Sequence, residues 1–461
     1  MPRYEPRSWG KTGIKFILER ARVALWATPG VGKTGISYAA AMLLRRKKLV
    51  KGVLVVAPLP VIYNVWPKER AKWDQFQELT LRLLHGDRKL DALLDEQADV
   101  YLINYEGLPW LAKVMNHHNM WGNEKQPFDM LVLDEASKAK NPSSQRFKLL
   151  KNIAPFFRRV LELTGSPAPN GLRDVWSQIY LLDDGAALGK YKTHFYLKYF
   201  NQVGYGGYEL VIKPGADDLI YEAIQPLVLR MDAADFLDMP SLVVNDIKVP
   251  LEPEVMKQYK RLEEDLILQL DDVKVLPTNA AAAVNKCLQM TGGACYGDDG
   301  VTVHELHSSK MDALDDLVDE LVGQPLIVFF AFRHEALRLR GRFKGPRFGF
   351  IEGGMSTAEV RRILAQWGAG ELTVLFAQLQ VISHGLNLQE GSNACFYTLP
   401  WDLESYEQGI ARLYRQGQKN TVFVHRLICP GTIDVQVARA LKNKDLTQRA
   451  LLDAMKGTTN E

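Results

Sequence analysis

The chain of 461 residues is 47% hydrophobic and 24% charged, which is typical of a globular protein, and its length predicts about three domains of ordinary size. Lysine and arginine (57) barely exceed aspartate and glutamate (54), which excludes a strongly basic chain, so any nucleic-acid-binding surface must be local. The four cysteines form no C-x-x-C pair, no apolar run approaches membrane-spanning length, and the N-terminus lacks the apolar segment of a secretion signal. These features predict a soluble cytoplasmic protein with reduced thiols and no membrane partner.

The first recognisable pattern is Ala27-Thr-Pro-Gly-Val-Gly-Lys-Thr34, which lies between the predicted strand Val23–Ala27 and the predicted helix Ile36–Leu44. Strand, glycine turn and helix form the setting of a phosphate-binding loop, because backbone N–H groups and the helix N-terminus face the phosphates. Lys33 would neutralise phosphate charge, and the Thr34 hydroxyl would bind Mg²⁺. The nucleotide-contacting residues are then Thr28, Gly30, Val31, Gly32, Lys33 and Thr34. Ala27 replaces the usual first glycine, and the pattern alone also fits a turn before a core helix.

Between Ile14 and Ile179, short apolar runs alternate with amphipathic ones, which predicts a parallel sheet covered on both faces by helices. The predicted strands are Val23–Ala27, Val53–Ala57, Val100–Ile103, Met130–Leu133 and Val160–Leu163. The predicted helices include Ile36–Leu44, Leu108–Met115 and Phe147–Ile153. Ligands of such a sheet bind at the carboxyl ends of its strands.

Two polar groups follow strands of this predicted sheet. Asp134 and Glu135 come directly after the apolar run Met130–Leu133, where Asp134 would bind Mg²⁺ and Glu135 would orient or deprotonate a water. An acidic turn at a strand end is the alternative interpretation. The stretch Leu163–Pro167 then places threonine, glycine and serine at the end of the next strand, where they could hydrogen-bond a phosphate site and a neighbouring lobe.

From 183 to 303 the alternation weakens, and the clearest predicted helices are Glu254–Leu270 and Ala281–Leu288. The segment Tyr191–Tyr208 mixes aromatic residues with lysines, and its glycines predict a hairpin or an exposed loop. Aromatic residues among lysines could stack on bases, but a packed helix with a solvated lysine face is the favoured interpretation.

A second alternating region begins near Ser308 and contains a capping-box pattern, Ser356-Thr-Ala-Glu359. Its predicted strands are Leu326–Phe330, Phe348–Ile351, Thr373–Ala377, Cys395–Leu399 and Val422–Ile428. We therefore expect an α/β protein with lobes at 1–182 and 304–461 and a mostly helical, partly aromatic insert at 183–303.

The stretch Gln408–Gln418 lies near the end of this second region. Arg412 and Arg415 are three residues apart, so on a helix they share one face. Two guanidinium groups on one face suit a γ-phosphate whose charge grows during hydrolysis, although such a pair is usually just a solvated surface.

The order of these motifs resembles the SWI/SNF-type ATPases of helicase superfamily 2, and most closely their minimal bacterial and phage forms. The resemblance extends from about Tyr4 to Lys444. The matching elements are Ala27–Thr34 (motif I), Val56–Leu59 with Trp66 and Glu69 (motif Ia), Asn104–Glu106 (the Y-E element), Asp134–Ser137 (motif II), Lys140-Asn141, Leu163–Pro167 (motif III), Leu229-Arg230 through Met239-Pro240, Gly385–Leu388 (motif V), Gln408–Gln418 (motif VI) and Gly431–Asp434.

The resemblance implies two RecA-like lobes that hydrolyse ATP with Mg²⁺ in the cleft between them and move along double-stranded DNA. The implied catalytic residues are Lys33, Glu135, Gln408, Arg412 and Arg415, with the two arginines as arginine fingers. The implied DNA-backbone contacts are Pro58, His85, Tyr105, Gly385 and Asn387. Such a protein would act as a monomer without sequence specificity, and a protein partner for targeting is left open.

Two alternatives share these motifs. A strand-separating DNA or RNA helicase would use the same motor but release a single strand. A nucleic-acid clamp would bind nucleotide without hydrolysing it, which the complete set of catalytic residues disfavours.

Gly10 departs from the family pattern, because it stands where a glutamine usually reads adenine. We therefore expect weaker adenine selectivity, with only Tyr4 and Arg7 left to hold the base by stacking. Ser137 replaces a common histidine but removes no metal ligand.

Overall fold

The computed structural model describes residues 1–28, 30–94, 97–165, 167–168, 171–203, 209–231, 240–272, 277–297, 299–321, 323–382, 388–415 and 417–443. These residues fall into two compact units, within Met1–Asp238 and within Met239–Glu461.

The first unit is built on a parallel sheet with the strand order β3-β4-β2-β5-β6-β1-β9. Its strands are β1 (Arg22–Ala27), β2 (Val53–Ala57), β3 (Leu81–Leu83), β4 (Val100–Asn104), β5 (Met130–Asp134), β6 (Arg159–Thr164) and β9 (Val228–Met231), and β7 (Phe200–Val203) with β8 (Glu209–Ile212) forms a separate antiparallel pair. The central strands β2, β4 and β5 are buried along their whole length, which explains their continuous apolar sequences. The five strands predicted for this sheet are confirmed to within one residue at either end, whereas β3 and β9 were not predicted.

In the described part of the chain, nine helices accompany this sheet. They are α1 (Ser8–Glu19), α2 (Lys33–Arg46), α3 (Leu59–Lys72), α4 (Lys89–Leu94), α5 (Leu108–His117), α6 (Gln145–Ile153), α7 (Val175–Asp183), α8 (Lys192–Tyr199) and α9 (Ala216–Ile224). Short 3₁₀ turns follow two of the strands, at Tyr105–Gly107 and Ala136–Ala139. These two turns carry residues of the candidate site.

The second unit repeats the architecture with a parallel sheet in the order β10-β17-β16-β13-β15-β14. Its strands are β10 (Leu242–Lys248), β13 (Leu326–Phe330), β14 (Phe348–Ile351), β15 (Val374–Gln378), β16 (Asn393–Phe396) and β17 (Val422–Ile428), with a separate pair β11 (Ala294–Tyr296) and β12 (Val303–Glu305). Its helices are α10 (Pro253–Asp272), α11 (Pro277–Thr291), α12 (Ser309–Glu320), α13 (Arg333–Arg342), α14 (Thr357–Gly368), α15 (Leu379–Ile382), α16 (Leu403–Ile410) and α17 (Ile433–Asn443). The α/β class with two parallel-sheet lobes is therefore confirmed.

The predicted capping box at the start of α14 is present in the structure. The Ser356 Oγ accepts a hydrogen bond from the Glu359 N–H, and the Ser356 N–H donates to the Glu359 carboxylate at 2.9 Å.

The segment 183–303 contains strands that the sequence analysis did not predict. Strand β9 is an edge of the first sheet, and β10 is an edge of the second. The aromatic stretch forms helix α8, whose Phe195 and Tyr199 are buried while Lys192 and Lys198 lie over tyrosine rings. This arrangement is the predicted packed helix with a lysine-bearing face; the glycines at 204, 206 and 207 lie outside the described residues.

A buried ion pair ties together distant parts of the second unit. Lys310 in α12 and Asp434 in α17 are both fully buried, with Nζ and Oδ2 2.7 Å apart. The same carboxylate accepts hydrogen bonds from the Thr291 hydroxyl (2.9 Å) and from the Cys429 N–H (3.0 Å). Burial alone would lower the pKa of Lys310, but the neighbouring Asp434 raises it above its ordinary value, so the lysine stays charged. These contacts give a physical reason for the Gly431–Asp434 motif.

The described core of the first unit contains a buried carboxyl group, that of Glu162, without a hydrogen-bond partner. Glu162 on β6 is fully buried between Ala24 of β1 and Leu133 of β5 in the strand register. Neither of its carboxylate oxygens has a hydrogen-bond partner among the described residues. Burial therefore raises the pKa of Glu162 well above its ordinary value.

All four cysteines are free thiols, as the sequence analysis predicted, and the structure adds that all four are buried. Within the described ranges, no helix has both the length and the apolar character that crossing a membrane requires.

Candidate active site

The carboxyl end of the first sheet brings together the predicted motifs of the first unit. Across the sheet, the strands end at His85 (after β3), Tyr105 (after β4), Pro58 (after β2), Asp134 (end of β5) and Thr164 (end of β6), and the phosphate loop follows β1. Residues predicted to contact nucleic acid thus occupy one half of this edge, and residues predicted to contact nucleotide occupy the other half.

The phosphate loop connects β1 to α2 through two glycines with left-handed backbone. Gly30 has φ 92° and Gly32 has φ 88°, a region that a residue with a Cβ rarely adopts. Helix α2 begins at Lys33, so Lys33 and Thr34 lie in its first turn, where the helix N-terminus favours an anion. The Lys33 Nζ donates to the Ala27 carbonyl at 2.6 Å, which holds the ammonium over the loop. The loop therefore has the geometry of a phosphate site.

Trp9 on α1 supports this loop from outside, a contact that the sequence analysis missed. Its indole Nε1–H donates to the Val31 carbonyl at 3.2 Å in a buried environment. The two residues are 22 positions apart, and a single tryptophan in the first turn of a helix gives no sequence signal for such a contact.

Asp134 lies at the end of β5 and is 6% exposed. Its Oδ2 accepts a hydrogen bond from Trp66 Nε1 at 2.8 Å, which fixes the carboxylate orientation. Burial raises the pKa of Asp134, whereas the Trp66 hydrogen bond and the Lys33 charge lower it. A carboxylate and the Thr34 hydroxyl are hard oxygen donors, and Mg²⁺ beside a phosphate typically takes one or two carboxylates plus phosphate oxygens. The donor set therefore fits Mg²⁺.

Glu135 has an unusual backbone conformation for its residue type. Its φ of 58° and ψ of 56° are left-handed, which costs a residue with a Cβ roughly 1–2 kcal/mol. The Tyr105 hydroxyl lies 3.0 Å from the Asp134 carbonyl and 3.2 Å from the Glu135 carbonyl. A strained backbone at a candidate catalytic carboxylate points to a functional constraint.

The three residues predicted to contact nucleic acid in this unit differ in accessibility. Pro58 is buried at the start of α3, and Tyr105 is only 3% exposed. His85 is partly exposed, and its Nδ1 lies 2.8 Å from the hydroxyl of the exposed Tyr63. Contact of these residues with nucleic acid stays a prediction, and for Tyr105 the structure adds the contact with motif II.

The second unit carries the predicted arginines. Helix α16 begins after Asp402, which accepts hydrogen bonds from the N–H groups of Glu404 and Ser405, and it ends at Ile410. Arg412 and Arg415 therefore lie in the turns that follow the helix and not on one helical face. The Leu413 side chain is fully buried between them, which anchors this turn to the core.

Two glutamines order the segment around these arginines. Gln408 is nearly buried in α16, and its Nε2 donates to Glu404 at 3.0 Å. Gln418 Nε2 donates to the carbonyls of Gln389 (3.2 Å) and Gly391 (3.0 Å), so it links motif VI to the chain that follows motif V. The predicted residues Gly385 and Asn387 of motif V, like Ser166 of motif III, lie outside the described residues.

Residues 11–292 match the model of the SNF2-related domain, and residues 309–417 match the helicase conserved C-terminal domain. The chain belongs to the SNF2-related ATPases of helicase superfamily 2. The first match covers the sheet of the first unit and continues into the second unit, whereas the second match lies wholly within the second unit.

Individual relatives of this SNF2-type ATPase differ in length. Protein p41 of Acyrthosiphon pisum secondary endosymbiont phage 1 is 32% identical over 99% of this chain and 100% of that protein. The human DNA excision repair protein ERCC-6-like is 26% identical over 90% of this chain, which spans only 38% of that protein. The solved Sulfolobus solfataricus SWI2/SNF2 ATPase core in complex with dsDNA is 22% identical, with a TM-score of 0.46, over 100% of this chain and 96% of that chain. The phage match supports the minimal, phage-like form of this ATPase.

Gly10, which the sequence analysis aligned with the family's adenine-reading position, is buried in α1 of this SNF2-type ATPase. A Cβ at Gly10 would lie 3.3 Å from the Cβ of Pro6, so a glutamine there requires Pro6 to move slightly. The Tyr4 ring packs against Phe76 (4.8 Å between centroids), and the Arg7 guanidinium carbon lies 5.2 Å from the Trp9 ring centroid. Stacking of Tyr4 and Arg7 on adenine, and the weaker adenine selectivity, stay predictions.

Replacing Trp66 with phenylalanine is expected to raise the Mg²⁺ concentration needed for half-maximal ATP hydrolysis by about 10–100-fold, because an orienting partner of a metal ligand is lost. A Mg²⁺ titration of the ATPase rate measures this shift. Trp73→Phe is the matched control, since Trp73 Nε1 donates to Glu69 at 2.8 Å and not to motif II. The same Mg²⁺ dependence in both variants would contradict the role of Trp66.

Proposed function

We propose that this SNF2-type ATPase is a translocase on double-stranded DNA, which couples ATP hydrolysis to movement along the sugar–phosphate backbone. The observation that carries the proposal is the arrangement of the first sheet's carboxyl end. There the Tyr105 hydroxyl, at the half predicted to face DNA, lies 3.0 Å from the backbone carbonyl of Asp134 in motif II. The turn that carries Tyr105 is predicted to face DNA, and it also contacts the backbone of motif II, where hydrolysis would take place.

ATP would bind with its phosphates on the loop between β1 and α2. The Lys33 ammonium would exchange the Ala27 carbonyl for phosphate oxygens, and the N–H groups of the loop would donate to the same phosphates. Thr34 and Asp134 would hold Mg²⁺. Bound Mg²⁺ supplies neutralisation of phosphate charge as it develops during hydrolysis.

Hydrolysis would need groups from both units. Glu135 would orient and deprotonate the attacking water, since its backbone is fixed next to the Mg²⁺ ligand. Arg412 and Arg415 would reach the γ-phosphate when the two units close around ATP, with Gln408 ordering the segment that carries them. Closure and hydrolysis would then be coupled, and repeated closing and opening would move the protein along DNA.

The DNA contacts would be to the backbone, through Pro58, His85 and Tyr105 of the first unit and Gly385 and Asn387 of the second. Such contacts carry no sequence information, so binding would be non-specific and would weaken as salt is raised. The protein would work as a monomer in the cytoplasm of a bacterial or phage-infected cell, and a protein partner could direct it to its DNA.

The test is the steady-state ATPase rate without nucleic acid and with single-stranded DNA, double-stranded DNA or RNA, with Glu135→Gln as the blank. We expect the strongest stimulation by double-stranded DNA, together with displacement of a triplex-forming strand from a duplex and no release of a strand from a forked duplex. Stimulation by single strands or RNA alone, or strand release from the fork, would favour a strand-separating helicase. Nucleotide binding without turnover under every condition would identify a clamp.

A further inference from the structure

We propose that Tyr105 and Arg146 form a clamp that positions Glu135 for hydrolysis, so that Tyr105 acts on the chemical step through the backbone of motif II. This proposal rests on the proposed hydrolytic role of Glu135. It assigns to Tyr105 a role that differs from a direct contact with DNA.

The first observation is the backbone that Tyr105 touches. Glu135 holds a left-handed conformation, and both the Asp134 and the Glu135 carbonyls lie within hydrogen-bond distance of the same Tyr105 hydroxyl. A hydroxyl has one proton, so the two carbonyls share a single three-centre hydrogen bond. The bond fixes the direction of two successive peptide groups, and this direction determines where the Glu135 side chain leaves the chain.

The second observation is that the hydroxyl must be the donor in both contacts. A backbone carbonyl oxygen can only accept, and the tyrosine hydroxyl supplies the proton.

The third observation is how Tyr105 itself is held. The Arg146 guanidinium carbon of α6 lies 5.0 Å from the centroid of the Tyr105 ring. The same guanidinium donates to the Lys138 carbonyl (3.0 Å) in the 3₁₀ turn after motif II and to Glu106 (2.9 Å) next to Tyr105. One arginine thus connects the turn after β4, the turn after β5 and helix α6.

Together these contacts hold motif II at two places, one side chain and one stretch of backbone. Trp66 fixes the carboxylate of Asp134, whereas Tyr105 fixes the backbone of Glu135. Loss of Trp66 should alter the dependence on Mg²⁺. Loss of the Tyr105 hydroxyl should alter the rate at saturating Mg²⁺ and ATP, because the water-activating carboxylate is displaced while the nucleotide site remains.

The test compares Tyr105→Phe with Tyr101→Phe in the full chain. Tyr101 is a buried tyrosine of β4, the strand that leads into the turn of Tyr105. Its hydroxyl accepts from the Ala98 N–H, so the control removes the same group at a different contact. We expect kcat to fall about 10-fold or more in Tyr105→Phe with an unchanged KM for ATP, as for the loss of other orienting partners. Arg146→Gln should lower kcat in the same direction, and it keeps the proposal testable if Tyr105→Phe does not fold.

Rates are measured without nucleic acid and at saturation with the nucleic acid that gives the highest turnover. The result is then independent of whether double-stranded DNA is that nucleic acid. A kcat for Tyr105→Phe within twofold of the Tyr101→Phe value would overturn the proposal. A rise in KM for ATP without a fall in kcat would overturn it as well, since the hydroxyl would then act on binding.

Discussion

Replacing Arg412 with alanine is expected to slow ATP hydrolysis about 10³–10⁵-fold, which is what an arginine finger contributes in P-loop enzymes. The guanidinium would stabilise charge that develops on the γ-phosphate only in the transition state, so the loss should appear in kcat. ATP affinity should change little, because the loop, Lys33 and Thr34 belong to the first unit. Single-turnover hydrolysis and binding of a fluorescent ATP analogue measure the two effects separately.

Two further variants make this result specific. Arg415→Ala should cause a loss of similar size, since both arginines lie in the turns after α16. Arg333→Ala removes an exposed arginine at the start of α13 in the same unit and should leave the rate without nucleic acid unchanged. If Arg412→Ala hydrolyses ATP within threefold of the unmodified protein, then Arg412 does not contact the reacting phosphate.

Replacing Asp434 with leucine is expected to destabilise the second unit by about 3–5 kcal/mol, because it leaves the fully buried Lys310 without its counter-charge. The Cys429 N–H loses its acceptor in the same change, whereas the Thr291 hydroxyl keeps the Leu288 carbonyl at 3.1 Å as an acceptor. Hydrogen exchange of peptides from β17 and α17 in the full chain measures the free energy of opening of this region.

The double variant Lys310→Met with Asp434→Leu should recover much of that stability, since an apolar pair of similar volume often replaces a buried ion pair without loss. Glu352→Ala, which breaks the more exposed ion pair with Arg340, should cost about 1 kcal/mol or less. Equal protection of α17 in Asp434→Leu and in the unmodified protein would show that the buried pair does not stabilise the unit.

The sequence was most informative where structure depends on neighbouring residues. Continuous apolar runs located the central strands, because strands buried on both faces need apolar residues at every position. The glycines of Ala27–Thr34 located the phosphate loop, because the left-handed turns at Gly30 and Gly32 need residues without a Cβ. The capping box at Ser356 was predicted for the same reason, because it depends only on residues within one helical turn.

The sequence was least informative where a role depends on a distant partner. Trp66 and Asp134 are 68 positions apart, and Tyr105 and Glu135 are 30 apart, so no local pattern predicts either hydrogen bond. The spacing of Arg412 and Arg415 predicts a shared helical face only if the helix continues, and α16 ends at Ile410. The short edge strand β9 and the largely exposed β10 carry weak apolar patterns, which explains why neither was predicted.

The uncompensated carboxyl group of Glu162 makes the folding of the first unit a proton-uptake reaction. Its pKa is raised in the folded state, so between the ordinary glutamate pKa and that raised value the folded unit retains a proton that the unfolded chain releases. The stability that depends on this proton is complete below the ordinary glutamate pKa and is lost as the pH rises through the folded-state pKa. Mildly acidic buffers should therefore favour the unit that carries the phosphate loop, and purification or crystallisation trials can begin on that side of neutrality.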